Sequence, residues 1–183
     1  MRMLMLPGYG NSGPGHWQTL WEQRLPGSAR VDFQTWDQPD ARGWGRTLQE
    51  ALDASAEPSL LIAHSLACLL VAGHIASRGS AGIAGAFLVA PPDPRHAAFP
   101  PAITGFSTLA GVPLQVPALV VSSTDDPYSD AGFGARCART WGAGHHLLER
   151  AGHIHAASGH GPWPEGLRLL LEFARTLDPG CEN

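Results

Sequence analysis

The chain carries, at residues 60–71, the run Leu60-Leu61-Ile62-Ala63-His64-Ser65-Leu66-Ala67-Cys68-Leu69-Leu70-Val71. This run predicts an apolar strand that turns sharply into an apolar helix, with Ser65 at the turn. Such a turn holds a serine side chain clear of its neighbours, and the amino terminus of the new helix points at an anion that forms there. We therefore predict Ser65 as a nucleophile and the Leu66 N–H as a donor to an oxyanion.

Small residues flank this serine. The usual pattern is Gly-x-Ser-x-Gly, because the residues two before and two after the serine approach each other closely. Here Ala63 and Ala67 take the glycine positions, and alanine is the next smallest choice. The alternative interpretation is that Ser65 simply caps the helix that begins near Leu66, as serines often do.

A serine hydroxyl needs a histidine to take its proton and an acid to orient that histidine. The apolar run from Pro117 to Ser122 predicts a buried strand, and it leads into Ser123-Thr124-Asp125-Asp126-Pro127-Tyr128. Asp126 is the preferred acid, since the following proline favours an extended conformation at a strand end. Asp125 remains open as the acid, and Asp126 also fits a turn or cap for the segment after Tyr128.

The candidate base is His153. It follows a glycine on the loop after a short predicted strand at 144–148, so the chain order is serine, acid, histidine, as in α/β-hydrolases. A second oxyanion donor in that architecture comes from the loop after the first strand. The strand Met3–Leu6 leads into the glycine-rich residues 7–13, where the backbone N–H of Gly8 or Tyr9 is the predicted donor.

Four stretches together carry a resemblance to one family. They are Leu6-Pro7-Gly8-Tyr9-Gly10-Asn11-Ser12 with His16-Trp17-Gln18; Ala63-His64-Ser65-Leu66-Ala67; Ser122-Ser123-Thr124-Asp125-Asp126-Pro127-Tyr128; and Gly152-His153 with 158–166. The chain resembles the retinoblastoma-binding-protein-nine-like (YdeN-like) small serine hydrolases over nearly its whole length. The resemblance implies a pared-down α/β-hydrolase with Ser65, Asp126 and His153 as a triad. It departs from the family pattern at Ala67, usually glycine, and at His155, more often asparagine.

The coarse order of elements predicts a three-layer α/β fold. Apolar runs predict six strands: Met3–Leu6, Val31–Thr35, Ser59–Ala63, Ile83–Val89, Ala118–Ser122 and His145–Leu148. Helical spacing recurs between them, as at Trp17–Leu25, Gly43–Leu52 and Pro164–Leu177. Alternating elements favour a mostly parallel sheet, for which the hydrolase topology gives the order 2-1-3-4-5-6, with helices on both faces. We expect one domain over 1–183 without a cap domain.

A proline-rich connection runs from Ala90 to Val116. Long loops in compact domains usually serve function, and this one leaves the carboxyl end of the fourth strand, at the edge that carries the predicted triad. Its residues Phe99, Ile103 and Phe106 are candidates to wall an apolar acyl pocket, and Trp163 is a further candidate. The alternative is that these aromatic side chains only cover the sheet edge.

Composition excludes several classes of function. All 12 basic residues are arginine, so Schiff-base chemistry, Ser-Lys dyads and a phosphate-loop lysine are excluded. A net charge of −4 without a basic cluster argues against nucleic-acid binding. The cysteines Cys68, Cys137 and Cys181 are widely spaced, which indicates neither a disulfide framework nor a thiolate zinc site. No leader or membrane-spanning pattern is evident, so we expect a cytoplasmic protein without membrane or nucleic-acid partners.

The predicted function is hydrolysis of small acyl esters through an acyl-enzyme intermediate, with a small-molecule substrate and no cofactor or metal. One alternative is a weak or inactive interaction protein that keeps the fold. A less favoured alternative is a metal-dependent hydrolase that uses three imidazoles and two carboxylates, namely His153, His155, His160, Asp125 and Asp126. The oligomeric state stays open.

Overall fold

The computed structural model describes residues 1–106 and 111–177. Its elements alternate along the chain as strands and helices: β1 Arg2–Leu6, α1 Trp17–Glu22, β2 Ser28–Arg30, α2 Ala41–Asp53, β3 Ser59–His64, α3 Leu66–Arg78, β4 Ile83–Val89, β5 Ala118–Ser123, α4 Phe133–Trp141, β6 Gly144–Leu148, a 3-10 turn Ala156–Ser158 and α5 Pro164–Leu177. The six strands form one parallel sheet in the order β2-β1-β3-β4-β5-β6, which confirms the predicted fold class and strand order.

Helices cover both faces of this sheet. Because strand side chains alternate between faces, Leu61 and Ala63 of β3 pack with α2, α3 and α4, whereas Leu60 and Ile62 pack with α1 and α5. Every residue of β3 is buried, as expected for a central parallel strand covered on both faces. The sheet thus separates two apolar cores, and the end of β3 lies buried between them.

The second strand lies earlier in the chain than predicted. β2 is Ser28–Arg30, and the predicted strand 31–35 lies beyond its end. Val31 still donates its N–H to Met5 O at 2.9 Å, but the chain then leaves the sheet. Phe33 is fully buried because its ring stacks on Trp44 of α2 at 4.4 Å between centroids. The alternation of apolar residues here reflects packing against a helix.

The carboxyl ends of the parallel strands lie at one edge of the sheet, and the loops that follow them meet there. The residues predicted for the triad and the oxyanion donors lie on the segments that follow β1, β3, β5 and β6, with Leu66 as the first residue of α3. The proline-rich connection after β4 includes residues 107–110, which lie outside the described residues. No helix within the described ranges is long and apolar enough to cross a membrane.

Candidate active site

Ser65 sits at a strained turn between β3 and α3. Its backbone has φ 55° and ψ −124°, a conformation that is costly for a residue with a Cβ and is typically held only where the surrounding structure imposes it. The Ser65 N–H donates to Val89 O of β4 at 2.8 Å. Ala63 and Ala67 on either side are fully buried. The Ser65 hydroxyl turns toward His153 instead of capping α3.

A hydrogen-bonded chain joins the three predicted side chains. Ser65 Oγ lies 2.8 Å from His153 Nε2, and His153 Nδ1 lies 2.9 Å from both carboxylate oxygens of Asp126. In the neutral imidazole, Nδ1–H donates to the carboxylate, which leaves Nε2 to accept the serine proton. His153 and Asp126 are only 5% and 7% exposed, so water competes little with these bonds.

Asp125 has a different partner from Asp126. Its Oδ1 accepts the Ser123 hydroxyl at 2.7 Å and the Gly152 N–H at 2.8 Å. These hydrogen bonds, the one from Ser123 above all, lower the pKa of the Asp125 carboxyl. Asp125 therefore ties the loop after β5 to the loop that carries His153, while Asp126 is the carboxylate that reaches the imidazole.

Two further side chains, His64 and Trp17, bond to the backbone of the loop that carries His153. His64, the residue before the serine, has Nε2 2.9 Å from the backbone oxygen of His153, and burial lowers the pKa of His64 well below its usual value. The Trp17 indole N–H donates to Ile154 O at 2.9 Å. Both bonds are buried, and they hold the loop at two consecutive carbonyl groups, those of His153 and Ile154.

Gly8 approaches the serine turn closely. A Cβ at Gly8 would lie 2.9 Å from the Ser65 Cβ and 2.9 Å from His64 O, and 3.3 Å from Leu66 N. Any larger residue would push the loop after β1 away from the turn. The next residue, Tyr9, is exposed and lines the cavity beside Ser65, as does Leu66.

A cavity of about 180 Å³ opens at Ser65. Its lining includes two of the predicted pocket residues, Phe99 and Ile103. The full set of lining residues is Tyr9, Asn11, His16, His64, Ser65, Leu66, Pro92, Phe99, Pro100, Ile103, Tyr128, His153 and His155. Sequence reasoning did not single out His16 or Tyr128 for the cavity. The position of Tyr128, two residues after Asp126, was a signal for its placement.

The structure places the other two predicted pocket residues elsewhere. Phe106 contacts Trp44 and lines a separate cavity of about 650 Å³ between α2 and α3, because the connection after β4 turns back toward α2 by Thr104. Trp163 is 4% exposed and stacks on Trp21 at 5.5 Å, so it belongs to the core beneath α1 and α5. Neither aromatic residue lines the cavity at Ser65.

The other two imidazoles considered as metal ligands, His155 and His160, are engaged in local hydrogen bonds, and only His155 lines the cavity at Ser65. His155 Nδ1 contacts Ser158, and His160 Nδ1 contacts Ser158 O at 2.9 Å. Among the described residues, no group of three or more His, Cys, Asp or Glu side chains is arranged to hold a metal ion. The histidines and aspartates considered above as metal ligands therefore do not converge on one point.

Known proteins share the fold of this chain. The serine hydrolase family model matches residues 3–172. The structure of a YdeN-like protein from Pectobacterium atrosepticum is 34% identical, with a TM-score of 0.83 over 96% of this chain and 91% of that one. The ydeN gene product from B. subtilis is 19% identical, with a TM-score of 0.76 over 94% of this chain and 98% of that one.

A more distant likeness is to the type II thioesterase BorB from the borrelidin biosynthetic cluster, at 17% identity and a TM-score of 0.68 over 95% of this chain and 92% of that one. At this identity the likeness shows the fold alone. No curated protein matches the chain. Since the family model covers nearly the whole sheet and every loop at its carboxyl edge, this chain belongs to the serine hydrolase family.

Proposed function

We propose that the protein is a serine esterase that cleaves small acyl esters, with Ser65 as nucleophile, His153 as general base and acid, and Asp126 as the carboxylate that orients His153. The observation that carries the proposal is the unbroken chain of hydrogen bonds from Ser65 Oγ through the imidazole to the buried carboxylate. A serine activated in this way attacks acyl carbonyls at neutral pH.

The first half-reaction forms an acyl-enzyme. Ser65 Oγ bonds to the ester carbonyl carbon while its proton passes to His153 Nε2, and Asp126 stabilises the imidazolium that forms. The C–O bond to the alcohol then breaks, and His153 returns the proton to the leaving oxygen. Asp126 is held for this role by the Tyr128 N–H, which donates to its Oδ1 at 2.9 Å.

The carbonyl oxygen becomes negatively charged in the intermediate and needs donors. Leu66 N–H lies in the first turn of α3, where backbone amides have no acceptor within the helix. Tyr9 is our second donor, since it lines the cavity and Gly8 lets its loop approach the serine. Water, activated by His153, then attacks the acyl-enzyme carbonyl and releases the acid and Ser65.

Covalent labelling with a fluorophosphonate tests the nucleophile. We expect one adduct per chain, located on Ser65 by peptide mass spectrometry. We also expect the unlabelled protein to hydrolyse p-nitrophenyl acetate. Ser65→Ala should abolish both, and heat-denatured protein is the control for nonspecific labelling. Absence of the adduct from folded protein would favour the interaction protein, and chelator-sensitive turnover that survives Ser65→Ala would favour a metal-dependent hydrolase.

A further inference from the structure

Three imidazoles besides His153 line the cavity: His64, whose Nε2 is taken by His153 O, and His16 and His155, each of which has a defined tautomer. His16 is the N-cap of α1, and its Nδ1 accepts the Gln18 N–H at 3.2 Å. Burial, with smaller contributions from neighbouring positive groups, lowers the pKa of His16 to about 3. His16 is therefore neutral in the physiological range, and because Nδ1 is an acceptor, its proton resides on Nε2.

His155 repeats this arrangement on the other loop. It caps the 3-10 turn 156–158, and its Nδ1 accepts the Ser158 N–H at 3.2 Å. Burial and the nearby His153 lower the pKa of His155. Its proton also resides on Nε2, so two neutral imidazole N–H groups are available to the cavity that contains Ser65.

The rest of the cavity lining is uncharged. Phe99, Pro100 and Ile103 provide an apolar wall, and no Asp, Glu, Arg or Lys belongs to the lining among the described residues. A charged substrate group would lose water there without gaining a counter-charge. A purely alkyl substrate would instead strip water from the two imidazole donors and leave them unpaired. The complementary ligand is uncharged and carries an acceptor oxygen.

We propose that His16 and His155 are substrate-binding residues whose Nε2–H groups donate to an oxygen of the substrate other than the ester carbonyl. The preferred substrates are short, uncharged esters that carry an ether, hydroxyl or second carbonyl oxygen near the cleaved bond. This inference rests on the proposed esterase function and narrows its substrate class. The cavity volume of about 180 Å³ keeps both parts of the substrate short.

Matched esters that differ by one exchange of CH2 for oxygen test the inference. On the acyl side the substrates are p-nitrophenyl 3-methoxypropanoate and p-nitrophenyl pentanoate; on the alcohol side they are 2-methoxyethyl acetate and butyl acetate. Each kcat/KM is divided by the rate of alkaline hydrolysis of the same ester. We expect the oxygen-containing ester to be favoured about tenfold or more on at least one side, since an unpaired buried donor opposes the alkyl analogue. Equal or reversed preference on both sides overturns the inference.

Substitutions at each histidine separate its two nitrogens. His16→Asn and His155→Asn place an acceptor where Nδ1 caps the turn but remove the Nε2 donor. His16→Gln and His155→Gln place an amide N–H near Nε2 but weaken the cap. We expect the Asn variants to keep the thermal midpoint and lose the preference for oxygen-containing esters, and the Gln variants to show the reverse. If the Asn variants keep the preference for oxygen-containing esters and the Gln variants lose it, the inference is contradicted.

Fluorophosphonate labelling of the wild-type chain distinguishes failure of this inference from failure of the proposed function. If Ser65 is labelled but the oxygen-containing esters and their alkyl analogues are cleaved equally well, the substrate assignment is overturned and the proposed esterase function stands. An unlabelled Ser65 with no ester turnover overturns both.

Discussion

His64 Nε2 lies 2.9 Å from the backbone oxygen of His153, so the residue before the candidate nucleophile holds the loop that carries its candidate base. His64 is 5% exposed, and its ring contacts the His16 ring at 4.8 Å and the His153 ring at 5.0 Å between centroids. For this bond, Nε2 must donate, and because burial lowers the pKa of His64 well below its usual value, the imidazole is neutral with its proton on Nε2. The distance between Ser65 and His153 is consequently set by a direct tie between neighbouring parts of the two loops.

Substitution of His64 should impair turnover through the position of His153. In His64→Leu the buried His153 carbonyl loses its donor, which costs about 1–3 kcal/mol in the free energy of unfolding. We expect kcat for p-nitrophenyl acetate to fall at least tenfold, while His64→Gln, which can still donate, retains more activity. Urea unfolding and steady-state kinetics measure the two effects. Equal activity of the Leu and Gln variants would show that the tie has no role in positioning.

The two adjacent aspartates should respond differently to substitution. Asp126→Asn removes the carboxylate that accepts from His153 Nδ1, and we expect kcat to fall by about 10⁴-fold, the scale seen when a triad acid is replaced by its amide. Asp125→Asn keeps an acceptor for Ser123 and Gly152, so activity should stay within a few-fold of wild type. Steady-state hydrolysis of p-nitrophenyl acetate measures kcat for both variants. A larger loss at Asp125 than at Asp126 would reverse the assignment of the acid.

Local sequence patterns predict much of the fold. β3 is a continuous apolar run that ends at a small-residue turn, and the next two strands of the sheet, β4 and β5, show similar runs. All three strands lie within one residue of their predicted ends. β2 is different, because it has only three paired residues of mixed polarity. The apolar residues after it pack on Trp44, which is a tertiary contact that periodicity alone does not reveal.

The site was predictable in kind and less so in detail. Chain order predicts Ser65 and His153 as candidates, because Ser65 stands directly between a strand and a helix and His153 lies on the loop after the last strand. The spacing of Asp125 and Asp126 does not decide which of them contacts the histidine. The folded chain decides it, because His153 lies against Asp126 and the Gly152 N–H lies against Asp125. An aromatic residue such as Phe106 has the same sequence pattern whether it faces a substrate or a helix, so only the folded chain distinguishes the two placements.

Gly8→Ala should lower activity more than stability. The added methyl carbon would lie 2.9 Å from Ser65 Cβ and from His64 O, so the loop after β1 must retreat and take the proposed Tyr9 N–H with it. Loss of one oxyanion donor typically reduces kcat by about 10²- to 10³-fold. Gly13→Ala, in the same loop and with no described atom within 4 Å of the added carbon, is the matched control. Full activity in Gly8→Ala would exclude a role for this loop in catalysis.

Acid should destabilise the protein through its buried neutral histidines. Burial lowers the pKa of His16 to about 3 and also lowers the pKa of His64 and His74. Below the unfolded-state pKa of about 6.5, the imidazoles of the unfolded chain bind protons, whereas the same imidazoles in the folded chain do not. The free energy of unfolding therefore decreases as pH falls from 6.5, by up to about 1.4 kcal/mol per pH unit for each such histidine.

His16→Asn isolates one of these contributions. Asparagine retains a capping acceptor for α1, so stability at pH 7.5 should change little, but the variant has no imidazole at this position to protonate on unfolding. Urea unfolding at pH 7.5, 6.5, 5.5 and 4.5 should give a shallower loss of stability than wild type, by up to about one proton per molecule below pH 6. Because folded His16 accepts a proton only near pH 3, this difference should persist down to pH 4.5. Parallel curves for the two proteins would mean that His16 protonates readily in the folded state.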